Sequence, residues 1–541
     1  MSASVLEPPR AAPMMASADR GEVIGEVVSL SGSTLVGRLG GELAGEAVGA
    51  SIGDLIAMPV PDGLVVALIH SLRSGRRSDD PVHFEAQMMG ALGLDADGTP
   101  GGFTRGIATF PPIGAPVHRA PDVLVGRVFA RTGKGLRLGT LRHNRELDAV
   151  ADPDRLLGTH MAILGSTGSG KSCAVTVLLR GILTHCPHGH IVLIDPHNEY
   201  GRAFGDMAER IGPHNLELPY WLLNFDELAA ILVTAQGERA SVEQTILRDA
   251  VLRAKHSFLG DDPLARSITV DSPTPYRLTD LCRHIDDAMG RLDKPQGAAP
   301  YRQLLARIDT LRNDRRFAFM FQSGAVRDTL SSLMARILRV PTQGRPLTTI
   351  DISGLPAEVV DVVVSVLFRT IFEFVLWAER GSLPPVLLVC EEAHRYIPHE
   401  QSGSFEPSRR AIGRIAKEGR KYGVSLCLVS QRPAELSTTS LSQCGTIFAL
   451  RLTNERDQDF VRHVMPDGSD WMLRMLPVLG NGEALVVGDG VALPMIVALD
   501  RLSPADQPIS RTPRFAEAWS TDRHGEEALD RAVQRWRAQE R

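Results

Sequence analysis

Gly165-Ser166-Thr167-Gly168-Ser169-Gly170-Lys171-Ser172 is a complete GxxxxGK[ST] stretch, and its flanks decide the fold. On the N-terminal side, His160-Met161-Ala162-Ile163-Leu164 is a short apolar run of strand type. On the other side, Ser172-Cys173-Ala174-Val175-Thr176-Val177-Leu178-Leu179 reads as a helix. A glycine-rich loop in that setting cradles phosphate, because consecutive N–H groups and a helix N-terminus point at the anion. The glycines let backbone approach it closely. Lys171 is expected to reach the β- and γ-phosphates of ATP, and the Ser172 hydroxyl to hold Mg²⁺. Nucleotide contacts are expected from Gly165, Ser166, Thr167, Gly168, Ser169, Gly170, Lys171, Ser172 and Cys173.

Working outward, His190-Ile191-Val192-Leu193-Ile194-Asp195 is a second buried strand ending in a carboxylate. Leu347 to Ile352, Pro385 to Cys390, Val424 to Ser430 and Thr446 to Arg451 are further strand-like runs, with a long apolar helix from Ala357 to about Trp377. Strand–loop–helix–strand with apolar strands predicts a parallel α/β sheet. Between about Tyr220 and Leu338 the apolar spacing turns helical, as in Leu228 to Val233 and Thr245 to Leu252. This stretch reads as a helical insertion.

Upstream, Val23 to Val28, Gly45-Glu46-Ala47-Val48 and Gly63 to Ile69 are short β-type runs between glycine turns, and strand-like runs continue to about Val128. Their regular spacing suggests a small barrel. Ser74 to Asp80 and Asp95 to Gly102 read as exposed loops. The expected divisions are a loose tail over 1–20, a barrel over 21–130, an ATPase core over 131–219 and 339–502, the helical insertion over 220–338, and a C-terminal tail over 503–541.

Leu388-Val389-Cys390-Glu391-Glu392-Ala393-His394 is an apolar strand ending in two carboxylates. Successive strand residues point to opposite faces. One carboxylate can therefore serve Mg²⁺ while the next polarises the attacking water; Glu391 is assigned to the metal and Glu392 to the water. Asp195 ends its strand at the same edge, where ligands collect in open α/β sheets. It is either a further Mg²⁺ or water partner or a cap for the following turn. Gln431, directly after Val424 to Ser430, is either a sensor of the γ-phosphate or a turn amide before Arg432-Pro433.

Arg409, Arg410, Arg414, Lys417, Arg420 and Lys421 recur at roughly helical spacing. The face is either solvated or supplies an arginine across a subunit boundary to the transferring phosphate, with Arg420 the favoured one. The loop Gln401 to Ser408 either faces DNA in a pore, with Arg409 and Arg410 on phosphates, or is an ordinary surface loop. His185, His188 and His190 cluster near Cys186 at a spacing that fits a polar turn and no standard zinc pattern.

At 541 residues the chain exceeds one ordinary core. With 43% hydrophobic and 23% charged residues it is neither wholly disordered nor fibrous. A formal net charge of -5 provides no global basic field, although a local basic channel needs only a lined groove. The six cysteines form no CxxC pair, which fits reduced thiols in the cytoplasm. No apolar run is long and uncharged enough for a membrane span. The first residues, rich in Pro, Ala and Ser, do not have the form of a signal peptide.

Taken in order, these stretches resemble the HerA–FtsK branch of P-loop ATPases, and specifically HerA-type DNA translocases. The resemblance is carried by Ile163 to Ser172, Asp195-Pro196-His197-Asn198-Glu199-Tyr200, Glu391-Glu392-Ala393-His394-Arg395-Tyr396, Glu418-Gly419-Arg420-Lys421-Tyr422-Gly423, Ser430-Gln431-Arg432-Pro433 and Gly482 to Gly488. It spans about Gly21 to Leu502. It implies a RecA-like core with an N-terminal barrel and a homohexameric ring that moves double-stranded DNA. It also implies ATP between subunits, Arg420 as the trans-acting finger, and a partner nuclease or other effector on the barrel face, in DNA end processing or phage defence. Where family members often carry arginine just before the histidine ahead of the phosphate-loop strand, this chain has Thr159 before His160.

Two other readings stand beside the translocase: a nucleotide-gated ring scaffold that activates an effector, and a secretion or conjugation motor. Leu441-Ser442-Gln443-Cys444-Gly445 is a poor match to the LSGGQ signature of ABC ATPases.

Overall fold

Two-residue turns set the register of the N-terminal strands. In the computed structural model, Ser31 pairs with Thr34 around a Gly32 at φ 58°, and Val60 pairs with Gly63 around Pro61-Asp62. Such tight turns join adjacent antiparallel strands. The structure describes residues 21–40, 49–74, 81–94, 100–129, 135–291, 295–321, 326–399, 406–465, 470–509, 515–520 and 526–538. The expected tail over 1–20, the run Gly45 to Val48, most of the two predicted exposed loops, the loop from Gln401 to Phe405 and parts of the C-terminal tail lie outside those residues.

The first seven strands are β1 (Val23–Ser31), β2 (Thr34–Leu39), β3 (Leu55–Val60), β4 (Gly63–Arg73), β5 (His83–Leu94), β6 (Pro100–Arg105) and β7 (Pro116–Arg119). They run in the order β2-β1-β7-β3-β4-β5, and β2 pairs back onto β5, which closes a six-stranded barrel; β6 adds to β5 outside the ring. Closure removes exposed edges. Val27, Leu35, Ile56, Met58, Val65, Ala67, Phe84 and Val117 fill the interior. Gly37 lies under Phe84: a Cβ there would meet the ring at 2.1 Å, so this strand position admits no side chain.

The strand-like reading up to Val128 gives way at Asp122–Phe129, which is a helix. Its buried residues Leu124, Val125, Val128 and Phe129 recur at helical, not alternating, spacing. Pro100 to Gly102, expected in a loop, opens β6.

The remaining strands are β8 (Leu136–Leu141), β9 (Asp148–Ala151), β10 (His160–Leu164), β11 (Ile191–Asp195), β12 (Ala208–Ile211), β13 (Leu347–Asp351), β14 (Val386–Cys390), β15 (Val424–Ser430), β16 (Cys444–Ala449), β17 (Glu483–Gly488) and β18 (Met495–Leu499). They fall into two compact units. One holds the chain up to His185 together with 431–434 and 444–501; the other holds 186–430, 435–443 and 502–541.

In the first unit the strands run β10-β16-β17-β18-β8-β9, with β10 and β16 parallel and the later pairs antiparallel. In the second, β12-β13-β11-β14-β15 are all parallel. Every residue of β10, β11, β14 and β15 is buried, which is why these strands read as continuous apolar runs.

The helix Ala357–Trp377 buries Val359, Val363, Val366, Leu367, Phe368 and Ile371 among others. Each large apolar side chain so buried contributes about 1.5–3 kcal/mol. The stretch expected to be a helical insertion forms the helices Phe225–Leu232, Glu238–Leu259, Leu278–Gly290, Ala299–Asn313, Ala318–Phe321 and Leu330–Leu338. Its first helix starts on a capping box between Asn224 and Glu227. The buried Glu227 also accepts from both Ser365 and Arg369 of the long core helix. The C-terminal segment forms helices at Phe515–Trp519 and Glu526–Ala538. No helix among the described residues is long and apolar enough to cross a membrane.

Candidate functional site

The phosphate loop belongs to the first unit. β10 delivers Leu164 into it, and the helix Lys171–His185 begins at its end. Gly168 and Gly170 hold φ 75° and 97°, the left-handed region that glycine enters without a Cβ penalty. At Gly165 the reason is space: a Cβ would meet Ser169 Oγ at 2.6 Å and Leu450 Cβ at 2.9 Å.

The loop is braced from the continuation of β16. Both the amide and the hydroxyl of Ser166 donate to the Arg451 carbonyl, at 2.9 and 2.8 Å. The Lys171 ammonium donates to the Ser166 carbonyl at 3.2 Å. Thr167 Oγ1 donates to Gln431 Oε1 at 2.7 Å. Ser169 Oγ is fully buried and has no protein hydrogen-bond partner. A glycine-backed loop with an orphaned hydroxyl, a lysine and a helix N-terminus fits a bound phosphate chain.

In the second unit, Glu391 and Glu392 follow β14 and are 6% and 8% exposed. Tyr200 donates its phenol proton to Glu391 Oε1, and the Glu392 amide donates to Glu391 Oε2 at 3.1 Å. Burial and the neighbouring Glu391 charge push the Tyr200 phenol well above its ordinary range, so it remains a proton donor.

Glu392 is different. Its backbone sits at φ 53°, ψ 42°, a left-handed conformation that is uncommon for a residue with a Cβ. His197 Nε2 lies 3.7 Å from one carboxylate oxygen, and His394 Nδ1 lies 3.2 Å from the other. That second contact is off the direction a hydrogen bond needs, and Oε2 is left without an aligned partner. Two adjacent carboxylates thus differ: one is held by donors on both oxygens, the other has an oxygen unsatisfied.

Asp195 ends β11 and is 1% exposed. Its Oδ1 accepts from the amides of His197 and Glu199 at 3.3 and 3.1 Å, and its Oδ2 accepts from the Tyr200 amide at 2.9 Å. The carboxylate therefore caps the turn that presents Tyr200. Burial raises its pKa, against those three backbone donors.

The basic helix is Glu406–Glu418. Arg409 pairs with Glu406 at 2.9 Å, and Arg410 pairs with Glu406 and Asp226 at 3.2 and 3.0 Å. Arg414 lies 3.5 Å from Glu418 and over the Phe372 ring. Exposed pairs of this kind are worth little and exchange readily for other anions. Arg420 is exposed in the short turn Gly419–Tyr422 that leads into β15.

With this geometry in hand, residues 136–371 match the family model described as the central domain of helicase HerA. Over that stretch the chain is similar to the HerA-type helicases. A Methanocaldococcus jannaschii protein named as a probable helicase is 28% identical over 401 residues, covering 72% of this chain and 71% of the relative. The DNA double-strand break repair helicase HerA of Pyrococcus furiosus is 27% identical over 422 residues, covering 71% of this chain and 72% of its own. The solved structure of VirB4 of Thermoanaerobacter pseudethanolicus shares the fold, with a TM-score of 0.50 at 16% identity over 70% of this chain and 98% of that one.

The groups that hold the expected site residues carry little signal of their own in the sequence. Tyr200 and His394 were visible only as members of quoted motifs, without roles. The Arg451 carbonyl that fixes Ser166 is backbone and has no residue-type signal. Thr159, just before β10, is 7% exposed and donates to the Arg155 carbonyl at 2.8 Å. Arg155 itself lies 3.6 Å from Asp152 and is more than half exposed.

Proposed function

We propose that this chain is an ATP-driven translocase of double-stranded DNA, working in the cytoplasm as a homohexamer beside a nuclease or other effector docked on the barrel, in DNA end processing or phage defence. The observation that supports the reading best is the Thr167–Gln431 hydrogen bond, which ties a side-chain amide to the phosphate loop.

In this reading Gly165 to Cys173 wrap the phosphates, and Lys171 leaves the Ser166 carbonyl for the β- and γ-phosphate oxygens. Ser172 and Glu391 would hold Mg²⁺, which when bound neutralises charge developing on the phosphates. Glu392, with an unsatisfied oxygen, orients the attacking water. Asp195 serves as the cap that sets Tyr200. Arg420, exposed in the turn after the basic helix, is the residue assigned to a neighbouring copy's phosphate. Arg409 and Arg410 can leave exposed carboxylates for DNA phosphates.

The test is steady-state ATP hydrolysis and duplex translocation by the full chain. Lys171→Ala should abolish nucleotide binding. Glu392→Gln should bind ATP but not turn it over. Arg420→Ala should regain activity in no mixture except one with copies that carry Arg420. Salt should weaken DNA stimulation steeply. Hydrolysis by Glu392→Gln at the wild-type rate would overturn the assignment of the water-orienting group, and a monomer indifferent to DNA would overturn the translocase.

A further inference from the structure

His394 stands between two groups that the hydrolysis site needs. Its Nδ1 lies 3.2 Å from Glu392 Oε2 and 3.3 Å from Ser430 Oγ. Ser430 is fully buried and is the last residue of β15. The next residue is Gln431, whose side chain accepts from Thr167 on the phosphate loop. The ring is fixed by the short turn Ala393–Arg395, in which the Arg395 amide donates to the Glu392 carbonyl at 2.9 Å and the Tyr396 amide to the Ala393 carbonyl at 3.0 Å.

One ring nitrogen serves one in-plane partner at a time. With hydrogen on Nδ1 it donates either to Ser430 Oγ or to Glu392 Oε2. The present geometry favours neither fully: the serine contact is long, and the carboxylate contact is misaligned.

We propose that His394 is a positioning residue that couples the sensor end of β15 to Glu392. When Gln431 engages a terminal phosphate, the adjoining Ser430 shifts and releases Nδ1 to Glu392. The imidazole then fixes the carboxylate that orients water. With the phosphate gone, Ser430 reclaims the ring and Glu392 is left unsatisfied. Hydrolysis is thereby confined to the loaded pocket. This inference rests on the reading of Glu392 as the water-orienting group.

Turnover by the full-length protein with ATP and duplex DNA separates coupling from a structural role. His394→Ala should lower kcat by about 10–100-fold, the usual effect of losing an orienting partner, with KM for ATP held within about twofold. ADP with aluminium fluoride, which mimics the transferring phosphate, should bind His394→Ala more weakly, and ADP alone should not. His394→Asn, whose amide nitrogen can take the place of Nδ1, should restore most of kcat; His394→Gln, which mimics Nε2, should not.

Ser430→Ala combined with His394→Ala should lose no more than His394→Ala alone, because the two act in one chain. Equal turnover by all these variants, additive losses at 394 and 430, or a raised KM at unchanged kcat would overturn the coupling. Should Glu392→Gln hydrolyse ATP normally, the functional reading falls first. Should Glu392→Gln be inert and His394→Ala normal, only the coupling falls.

Discussion

Tyr200 donates its phenol proton to Glu391, a residue 191 positions further along the chain. The turn after β11 and the end of β14 are thereby joined through one buried hydrogen bond. Its geometry depends on Asp195, which accepts the Tyr200 amide at 2.9 Å and so fixes where the ring enters. Three residues that sequence reading treats separately form one device for holding a carboxylate still.

Tyr200→Phe should therefore weaken the metal-dependent step first. Removing the hydroxyl takes a donor from one oxygen of a 6% exposed carboxylate, at a cost of about 1–3 kcal/mol in stability. The Mg²⁺ concentration for half-maximal ATP hydrolysis should rise by about 10–100-fold, as when an outer partner of a ligand is lost. A magnesium titration beside a denaturation curve checks it. An unchanged titration with a lowered melting temperature would reduce the phenol to a packing role.

Gln431 should matter for hydrolysis and little for binding. The Thr167 contact at 2.7 Å is exposed, so its loss costs at most about 1.5 kcal/mol in stability. Gln431→Ala is expected to bind a fluorescent ATP analogue with near-normal affinity while phosphate release slows. Gln431→Glu sets a negative charge beside the cradle and should disfavour ATP more than ADP. Equal affinity of that variant for the two nucleotides would remove Gln431 from the phosphate.

The parallel core was legible because fully buried strands are continuous apolar runs, as in Val386–Cys390 and Val424–Ser430. The phosphate loop was legible because glycine, lysine and serine are required there by space and charge. Asp122–Phe129 was misread because a short apolar run fits strand and helix alike, and its helix is stabilised by packing that one-dimensional pattern does not contain. The split between Glu391 and Glu392 was only half visible. Alternation assigns them opposite faces, but the left-handed backbone of Glu392 and the phenol on Glu391 arise from tertiary contacts.

The insertion should depend on one buried ion pair. Glu227, 1% exposed, accepts from Arg369 on both oxygens at 3.0 Å and from Ser365 at 2.8 Å. Arg369→Met would strand that charge, and breaking such a pair from one side costs about 3–5 kcal/mol. Adding Glu227→Leu should recover part of the loss, because the uncompensated carboxylate is then gone. Urea midpoints of the single and double variants measure it. A double variant no more stable than Arg369→Met would mean that packing of the arginine stem, not charge, holds the helix.

Asp361 gives the protein a predictable pH response. Burial pushes its carboxyl up to about 6, with Arg395 acting in the opposite direction. An unfolded aspartate titrates at about 3.9. Between those values the folded state keeps a proton that the unfolded state has released. Stability from this group therefore falls as pH rises from about 4 through about 6 and is flat above. Asp361→Asn removes the titration. After allowance for partial exposure, the variant should gain about 1 kcal/mol over the wild type at pH 8 and nothing near pH 4. Urea unfolding of both proteins across that range reads the difference directly, free of every group they share. A variant that loses stability at pH 8 would show that the ionised carboxylate is held by Arg395 strongly enough to outweigh its desolvation.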